Sequence, residues 1–282
     1  MVKTKNAKQM YAIFNIFKTK GFNLLLFLFS STFVYAQVGG LSGSKLGAVC
    51  VDVVDHHIIE FEPSFATTIS KKVWDSDGRL NDLYKTKDSV MRTSDLSFRF
   101  TYGLWDKMEI GTKISTDLQL SSWGARFILF DKKKYGVALI AGATIPFGNK
   151  RVDNSRRLAD NLISLGGGAV FSAQLTENLS FDMDAQYMAF VRETHNNHKG
   201  SYYINADLGY YLYQGQLQLV GSISYQNSTF DYLSDNKLTV NPGITIETGK
   251  SYIIVLSAPF DVAGRNTIKN AGFNFALTLS FD

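Results

Sequence analysis

The chain has 282 residues, of which 45% are hydrophobic, 13% aromatic and only 19% charged. Soluble domains carry about 25% charged residues on average, so this chain is poor in charge and rich in aromatic side chains. The apolar content excludes an intrinsically disordered protein, and the single cysteine excludes a disulfide scaffold. A bundle of membrane-spanning helices is disfavoured, because at most one apolar run, at the N-terminus, approaches the required length of about 20 residues.

The N-terminus has the features of a secretory signal peptide. Five lysines and no acidic residue occur in the first 21 residues, an apolar run follows at 22–29, and Val34 and Ala36 stand at positions −3 and −1 of a cleavage site. We predict a signal peptide at 1–36, cleaved after Ala36 and directing export. Its removal changes the net charge from +4 to −1, so the basic character of the full chain does not describe the mature protein.

From about residue 56 onward the hydrophobic pattern repeats every two residues, as in β-strands. The last segment shows the pattern clearly, because small or polar residues separate its apolar residues Phe273, Phe275, Leu277, Leu279 and Phe281. Twelve such segments are predicted, and the clearest are about 10 residues long, longer than the 5–6 typical of globular strands. This pattern predicts an all-β fold, a twelve-stranded antiparallel transmembrane β-barrel at 56–282. The alternative is a secreted soluble β-sandwich or jelly roll.

The predicted connections alternate between short and long, as expected for a bacterial outer-membrane barrel with short periplasmic turns and longer extracellular loops. The short connections are predicted near 103–107, 131–136, 175–178, 213–215 and 248–250. The long connections are predicted near 70–94, 115–122, 146–162, 191–201, 226–236 and 259–270. Residues 37–55 precede the barrel and are predicted as a periplasmic N-terminal tail, but they are also compatible with a plug folded into the lumen.

Several turn and strand motifs resemble those of a known family. The segment 99–110, RFTYGLWDKMEI, contains Tyr-Gly-Leu, an Asp-basic pair and an apolar-Glu-apolar run, and 138–148 ends in an apolar-Pro-x-Gly corner. Residues 174–181 and 39–46 carry two further motifs. Together they resemble the outer-membrane transporters grouped with the meta-pathway phenol-degradation proteins, specifically the Bacteroidetes-type members. The resemblance implies an outer-membrane barrel that passes small, often hydrophobic, compounds, and it supplies no catalytic residue.

Charged residues at strand positions are predicted to face the lumen, because a basic side chain facing lipid near the bilayer centre costs about 2–4 kcal/mol. Seven acidic and three basic residues are predicted lumen-facing: Glu60, Glu62, Asp95, Glu109, Asp182, Asp184, Asp207, Arg99, Lys113 and Arg126. Two interpretations remain open. The residues either line a polar, cation-favouring pore or form a network of ion pairs that fills a narrow barrel. In either case we expect Arg99 to pair with some of these acids across the lumen.

Four aromatic residues are predicted to lie in the belts that mark the membrane interfaces of such barrels. Tyr102, Trp105 and Tyr213 are beside predicted short turns, and Trp123 is beside an outer loop. The basic loop residues Lys150, Arg151, Arg156 and Arg157 are either ligands for lipopolysaccharide phosphates or a solvated surface.

The sequence predicts no catalytic site, no metal site, no cofactor and no interaction with nucleic acid. We therefore expect a channel or transporter for small, including hydrophobic, molecules in the outer membrane of a Gram-negative bacterium. The expected partners are outer-membrane lipid, lipopolysaccharide, the barrel-assembly machinery and a small-molecule solute. The alternative is a structural or adhesive barrel whose lumen is filled by side chains and transports nothing.

Overall fold

The computed structural model describes residues 37–43, 45–86, 89–116, 120–132, 134–146, 163–191, 200–213, 216–229, 234–248 and 251–281. The described residues belong to one compact unit, formed by 36–148 and 161–282. The predicted signal peptide and the four basic residues of the loop at 146–162 lie outside the described residues. No helix in the described residues is long and apolar enough to cross a membrane.

Fourteen β-strands form the described part of the chain. In chain order they are β1 (Ile59–Trp74), β2 (Leu80–Asp82), β3 (Met91–Trp105), β4 (Met108–Ser115), β5 (Leu120–Lys132), β6 (Tyr135–Pro146), β7 (Ser164–Gln174), β8 (Leu179–Phe190), β9 (Gly200–Tyr213), β10 (Leu217–Thr229), β11 (Ser234–Thr248), β12 (Tyr252–Ser257), β13 (Phe260–Arg265) and β14 (Ile268–Phe281). All adjacent strands pair antiparallel, in one continuous sheet.

The sheet closes into a barrel of twelve strand positions, which confirms the predicted fold. β14 pairs with β1 from Ile59↔Phe281 to Val73↔Ile268, so the first and last strands meet. β12 and β13 share one position, because both lie between β11 and β14. β2 adds only three residues beside β1. We call the end that carries the tight turns β3–β4, β5–β6, β7–β8, β9–β10 and β11–β12 the short-turn end, and the opposite end the loop end.

Side-chain alternation separates the two faces of the barrel wall. On β8, Asp182, Asp184 and Gln186 are buried, whereas the intervening Met183 and Tyr187 are exposed. The same pattern places large apolar side chains on the outside of the other strands, where a soluble protein would expose polar ones. The inward face of the wall is predominantly polar, so the exterior matches a hydrocarbon environment and the lumen does not.

The described residues of 37–55, which are 37–43 and 45–55, lie inside the lumen, and we call them the lumenal segment. Its backbone has no strand or helix, and its apolar side chains are at most 5% exposed at Val38, Leu41, Val49, Val51 and Val54. The structure therefore differs from the predicted periplasmic tail and has the alternative arrangement, a plug. Apolar residues on the inward faces of the wall are buried in the same lumen: Ile128, Ala138, Ile140, Val170 and Val220. Each apolar side chain withdrawn from water contributes about 1.5–3 kcal/mol, which favours insertion over a solvated tail.

Two predicted outer loops are shorter in the structure. Phe260–Arg265 forms β13 and β14 begins at Ile268, so the predicted loop 259–270 is mostly strand. The segment was predicted as a long polar connection, and one of its polar residues is Asp261. Its carboxylate accepts hydrogen bonds from Thr239 Oγ1 at 2.6 Å and from the backbone N–H of Asn270 at 2.8 Å, so it is an inward-facing strand residue. The predicted loop 226–236 is shorter as well, since β10 ends at Thr229 and β11 begins at Ser234.

Candidate functional site

The lumen collects the charged residues that the alternation places on the inward face. Six of the ten predicted lumen residues are buried: Arg99, Glu109, Arg126, Asp182, Asp184 and Asp207. Glu60 and Glu62 are half-buried, and Asp95 and Lys113 are exposed. The structure thus brings most of these residues into contact with protein.

The buried carboxylates bind the backbone of the lumenal segment. Glu109 accepts hydrogen bonds from the N–H groups of Ser42 and Val54, each at 2.9 Å. Asp184, on the opposite wall, accepts one from the N–H of Val49 at 2.8 Å. An irregular segment has no internal partners for its N–H groups, and a buried unpaired donor is costly. These acids therefore replace the hydrogen bonds that secondary structure would otherwise supply.

Asp207 on β9 binds the same segment at its middle. Its carboxylate accepts hydrogen bonds from the N–H groups of Leu46 at 2.9 Å and Gly47 at 3.0 Å. Hydrogen bonds to an ionised acceptor are roughly twice as strong as those between neutral groups. The acidic excess on the lumen wall is thus largely engaged by backbone amide groups, which sequence alternation alone does not indicate.

The two buried arginines bind the carbonyl oxygens of the lumenal segment. Arg126 Nη1 donates to the carbonyl oxygens of Cys50 at 2.6 Å and Ser42 at 3.2 Å. Arg99 Nη1 donates to the carbonyl oxygen of Leu41 at 2.6 Å. Arg126 Nη2 also lies 2.8 Å from Glu109 Oε1, and neither side chain is exposed to solvent. The acidic residues of the wall therefore accept hydrogen bonds from amide groups of the segment, and the arginines donate hydrogen bonds to its carbonyl groups.

Arg99 forms its ion pairs with the neighbouring strand and not across the lumen as expected. Its Nη2 lies 2.6 Å from Glu62 Oε2 and 3.4 Å from Glu60 Oε2. Glu62 is the register partner of Arg99 on β1, so both side chains leave the wall side by side. Thr278 Oγ1 on β14 donates to the same Glu62 carboxylate at 2.6 Å. These contacts join β3, β1 and β14 at the lumen surface.

The remaining predicted charges have different surroundings. Asp182 lies 2.5 Å from Lys45 Nζ of the lumenal segment and accepts a hydrogen bond from Ser172 Oγ. Asp95 accepts one from Ser115 Oγ at 2.9 Å while remaining exposed. Lys113 is exposed as well, on the inward face of β4 opposite Arg99. Towards the loop end, this part of the lumen is therefore open to solvent.

The aromatic-belt candidates are partly or fully exposed on the barrel surface. Trp105 is 58% exposed and Tyr213 62% exposed, both beside tight turns of the short-turn end. Tyr102 is half-buried, and its hydroxyl forms a 2.8 Å hydrogen bond with His57 Nδ1. Trp123 is 46% exposed and donates from Nε1 to Ser121 Oγ at 3.1 Å. Exposure of such large rings fits an interfacial position, which stays a prediction for all four.

Glycines on the inward face are the part of the site that the sequence did not reveal. A Cβ at Gly124 would lie 2.4 Å from the carbonyl oxygen of Gly39, and a Cβ at Gly103 would lie 2.0 Å from that of Asp55. Wall and segment backbones touch at these points because Gly124 and Gly103 place no side chain on the inward face of the wall. A run of glycines at inward strand positions, together with the glycines of 39–47, is the signal that indicates a second backbone in the lumen.

The described lumen residues offer hydrogen-bonding and ion-pairing groups to the lumenal segment. No group of three or more His, Cys, Asp or Glu side chains in these stretches is placed to hold a metal ion. The buried acids and arginines bind the lumenal segment and one another, and the Nε atoms of Arg99 and Arg126 are left without a hydrogen-bond partner. The arrangement can hold a plug, release it, and present a polar wall to a solute.

The comparisons agree with this geometry. The family described as "Putative MetA-pathway of phenol degradation" matches residues 75–277. An outer membrane channel from Pseudomonas putida F1 shares the fold, with a TM-score of 0.67 at 12% identity over 82% of this chain and 98% of that one. The chain also resembles the CymD monoaromatic hydrocarbon channel, with a TM-score of 0.43 at 10% identity over 81% and 89% of the two chains. A search of curated proteins finds no match. With its family model spanning most of the barrel, the chain belongs to the "Putative MetA-pathway of phenol degradation" family.

Proposed function

We propose that this protein is an outer-membrane channel for small molecules and that residues 37–55 constrict its lumen. The observation that carries the proposal is a closed barrel with an apolar exterior whose polar lumen is occupied by an irregular segment. Eight strands leave room only for their own side chains, whereas larger barrels leave space inside. In this twelve-stranded barrel, a non-covalently held segment takes up that space, so its movement controls the bore.

The lumen charges predict how conductance depends on the segment. Glu109, Asp184 and Asp207 face backbone N–H groups while the segment is in place. Without the segment, the same three carboxylates would line open water and attract cations. Removal of the segment should therefore increase conductance and shift selectivity towards cations at the same time.

Deletion of residues 37–55 tests the proposal. Wild-type protein and the deletion variant are refolded in detergent without the signal peptide and recorded in planar bilayers under a salt gradient. We expect larger unitary conductance and a reversal potential displaced towards the cation potential in the deletion variant. Replacement of 37–55 by a glycine-serine chain of equal length is the control, since it keeps the bulk but loses the hydrogen-bonded fit. Equal conductance and selectivity in wild type and deletion variant would remove the segment from the pathway.

A second candidate function is a structural barrel that transports nothing. The buried apolar residues of the lumenal segment favour it, because a packed plug resembles a protein core. The recordings separate the two. A wild-type protein that is silent while the deletion variant conducts is a closed channel that must be opened, and a pair that is silent throughout is a structural barrel. We propose the channel and assign the protein no enzymatic activity.

The location and partners are part of the same proposal. The apolar exterior supports contact with outer-membrane lipid, and insertion of such a barrel supports a need for the barrel-assembly machinery. Cleavage after Ala36 and binding of lipopolysaccharide at the loop end are proposed on sequence grounds. N-terminal sequencing of the exported protein tests the first, and outer-membrane fractionation with heat-modifiable gel mobility tests the location in a Gram-negative host.

A further inference from the structure

The inward face of the barrel is unevenly covered by the lumenal segment. On β8 and β9, side chains such as Asp184, Gln186 and Asn205 are at most 4% exposed. On β1 and β14, the inward residues between Glu60 and Thr68 and between Asn270 and Ser280 remain partly open to solvent, with the exception of Thr278. Because inward side chains of a closed barrel reach solvent only through the lumen, this difference marks unfilled space beside β1 and β14.

The contacts of the segment show the same asymmetry. Its hydrogen bonds go to β3, β4, β5, β7, β8 and β9, and among the described residues none goes to β1, β12 or β14. The three atoms nearest to a Cβ placed on the inward Gly272 of β14 would all belong to Thr67 and Thr68 on β1. The segment therefore rests against the wall from β3 to β11, where a Cβ on Gly243 would lie 2.9 Å from Leu46 Cδ2. No hydrogen bond of the described residues joins it to the closing strands β1 and β14.

Small side chains line this free side. The inward positions between the Arg99–Glu62 pair and the loop end include Ser64, Ala66, Thr68, Val255, Asn274 and Ala276, all half-buried. We call this strip the seam groove, since it follows the junction of the first and last strands. Its surface is made of methyl groups, hydroxyl groups and one amide, and these strands place a charged inward residue only at its short-turn end, at Glu60 and Glu62.

We propose that the seam groove is the solute path past the lumenal segment and that it takes small uncharged molecules carrying both apolar surface and a hydroxyl or carbonyl group. This inference rests on the proposed channel function and specifies its route and solute class. Methyl groups of Ala66, Val255 and Ala276 bury apolar solute surface, while Ser64, Thr68 and Asn274 offer hydrogen bonds. Small ions can cross this strip with their water. A charged solute that gave up its water there would meet only one carboxylate, that of Asp95 beside Ala66, so its desolvation is costly.

Cysteine substitution tests the route, because the wild-type chain has no readily reactive thiol. Its one cysteine, Cys50, is buried, and that burial raises the pKa of the thiol to about 12. The test variants are Ala66→Cys and Ala276→Cys in the groove. The matched control is Ala138→Cys, at an inward position of β6 that is 0% exposed. A small, uncharged methanethiosulfonate reagent is applied to refolded protein. Labelling is followed by mass spectrometry and unitary conductance is recorded in bilayers.

We expect rapid labelling and loss of conductance for the two groove variants, and neither effect for Ala138→Cys or wild type. Failure of the groove variants to label overturns the groove itself. Labelling without loss of conductance overturns the route while leaving the channel function intact. Silent membranes before labelling, with normal labelling, overturn the route but not the groove, and recordings of the variant without 37–55 then distinguish a closed channel from a structural barrel.

The solute class is tested by protection against labelling. Hexanol, hexanoate and hexylammonium share one chain length and differ in charge at neutral pH. We expect hexanol to slow labelling of Ala66→Cys, and the two ions to leave the rate unchanged. Equal protection by all three, or protection by neither hexanol nor the ions, overturns the assignment of the solute class.

Discussion

The carbonyl oxygen of Gly40 lies 1.9 Å from the position that a Cβ atom would take on Gly111. Gly40 belongs to the lumenal segment and adopts a left-handed φ of 82°, and Gly111 is an inward residue of β4. The two backbones touch because neither glycine has a side chain to keep them apart. A single added methyl group is therefore enough to separate plug from wall.

Gly111→Ala should displace the lumenal segment. A Cβ there would also lie 2.7 Å from the carbonyl oxygen of Phe100 on β3, so heat-modifiable gel mobility checks that the barrel stays closed. The cost of overpacking is about 1–3 kcal/mol, comparable to a few of the contacts that hold the segment. We expect higher unitary conductance and faster proteolysis near residue 40. The matched control is Gly221→Ala, since a Cβ at Gly221 meets nothing within 4 Å. Identical behaviour of the two variants would show that the close approach has no influence on the plug.

Glu109→Gln should release the segment, because it replaces a carboxylate oxygen that accepts hydrogen bonds by an NH2 group that donates them. The size of the side chain is unchanged. The Glu109 carboxylate accepts from the N–H groups of Ser42 and Val54 and pairs with Arg126. An amide NH2 group would face those donors, and Arg126 would lose its buried partner, at a cost of about 3–5 kcal/mol. Conductance and limited proteolysis report the release. Glu177→Gln, in the exposed β7–β8 turn, is the control. A wild-type proteolysis pattern in Glu109→Gln would contradict this role.

The Cys50 thiol should resist modification as long as the segment is seated. Desolvation is the main cause of its raised pKa, from 9.0 to about 12, partly offset by the nearby Arg126 charge. Native protein should therefore react negligibly with Ellman's reagent at pH 8.5 and completely after denaturation. In Gly111→Ala and Glu109→Gln the reaction should become faster. Equal reaction rates in native and denatured wild-type protein would place the thiol in solvent.

The same thiol gives the seated segment a pH dependence with a defined sign. A pKa that is higher in the folded state stabilises folding fully below pH 9 and loses this contribution as pH rises towards 12. Seating should therefore weaken progressively above pH 9. Cys50→Ala should flatten that part of the profile, measured as protease sensitivity near residue 40 between pH 8 and 11. An unchanged slope in Cys50→Ala would exclude the thiol as its source.

Tryptophan fluorescence tests the aromatic belts. Trp105 and Trp123 are exposed on the barrel surface, whereas Trp74 is only 4% exposed. In single-tryptophan variants reconstituted into bilayers, a lipid with a spin label near the headgroup should quench Trp105 and Trp123 strongly and Trp74 weakly. Stronger quenching of Trp105 by a label deep in the acyl chain would place it below the interface and contradict the belt assignment.

The barrel follows from the sequence because its determinants are local. Alternation on β8 places Asp182 and Asp184 on the same side before any contact is known. The length of the strands and the closure of the sheet follow from the same pattern. The loop that was wrongly predicted at 259–270 is also explained locally. A polar residue such as Asp261 is typical of loops, and only its hydrogen bonds with Thr239 and Asn270 show that it belongs to a strand.

The plug does not follow from the sequence because its determinants are long-range. Residues 37–55 have no periodic hydrophobic pattern. Each of their contacts depends on the closed barrel, which brings strands distant in sequence together. Alternation predicts which charged residues face the lumen, but it does not predict their partners. It places Glu109 and Asp207 on the inward face without indicating which part of the chain they contact there. Glycines such as Gly103 and Gly124 carry the missing information, because small inward residues leave room for another backbone.

The continuity between the lumenal segment and β1 has a consequence for the order of folding. β1 finds its last partner only when β14 arrives, and the lumen is not enclosed before that. Contacts of the segment join residues 67 apart for Ser42 and Glu109 and 161 apart for Leu46 and Asp207, so early hairpins cannot form them. The segment therefore enters last and leaves first. The segment binds to a barrel that has already closed. Its release breaks no hydrogen bond between neighbouring strands.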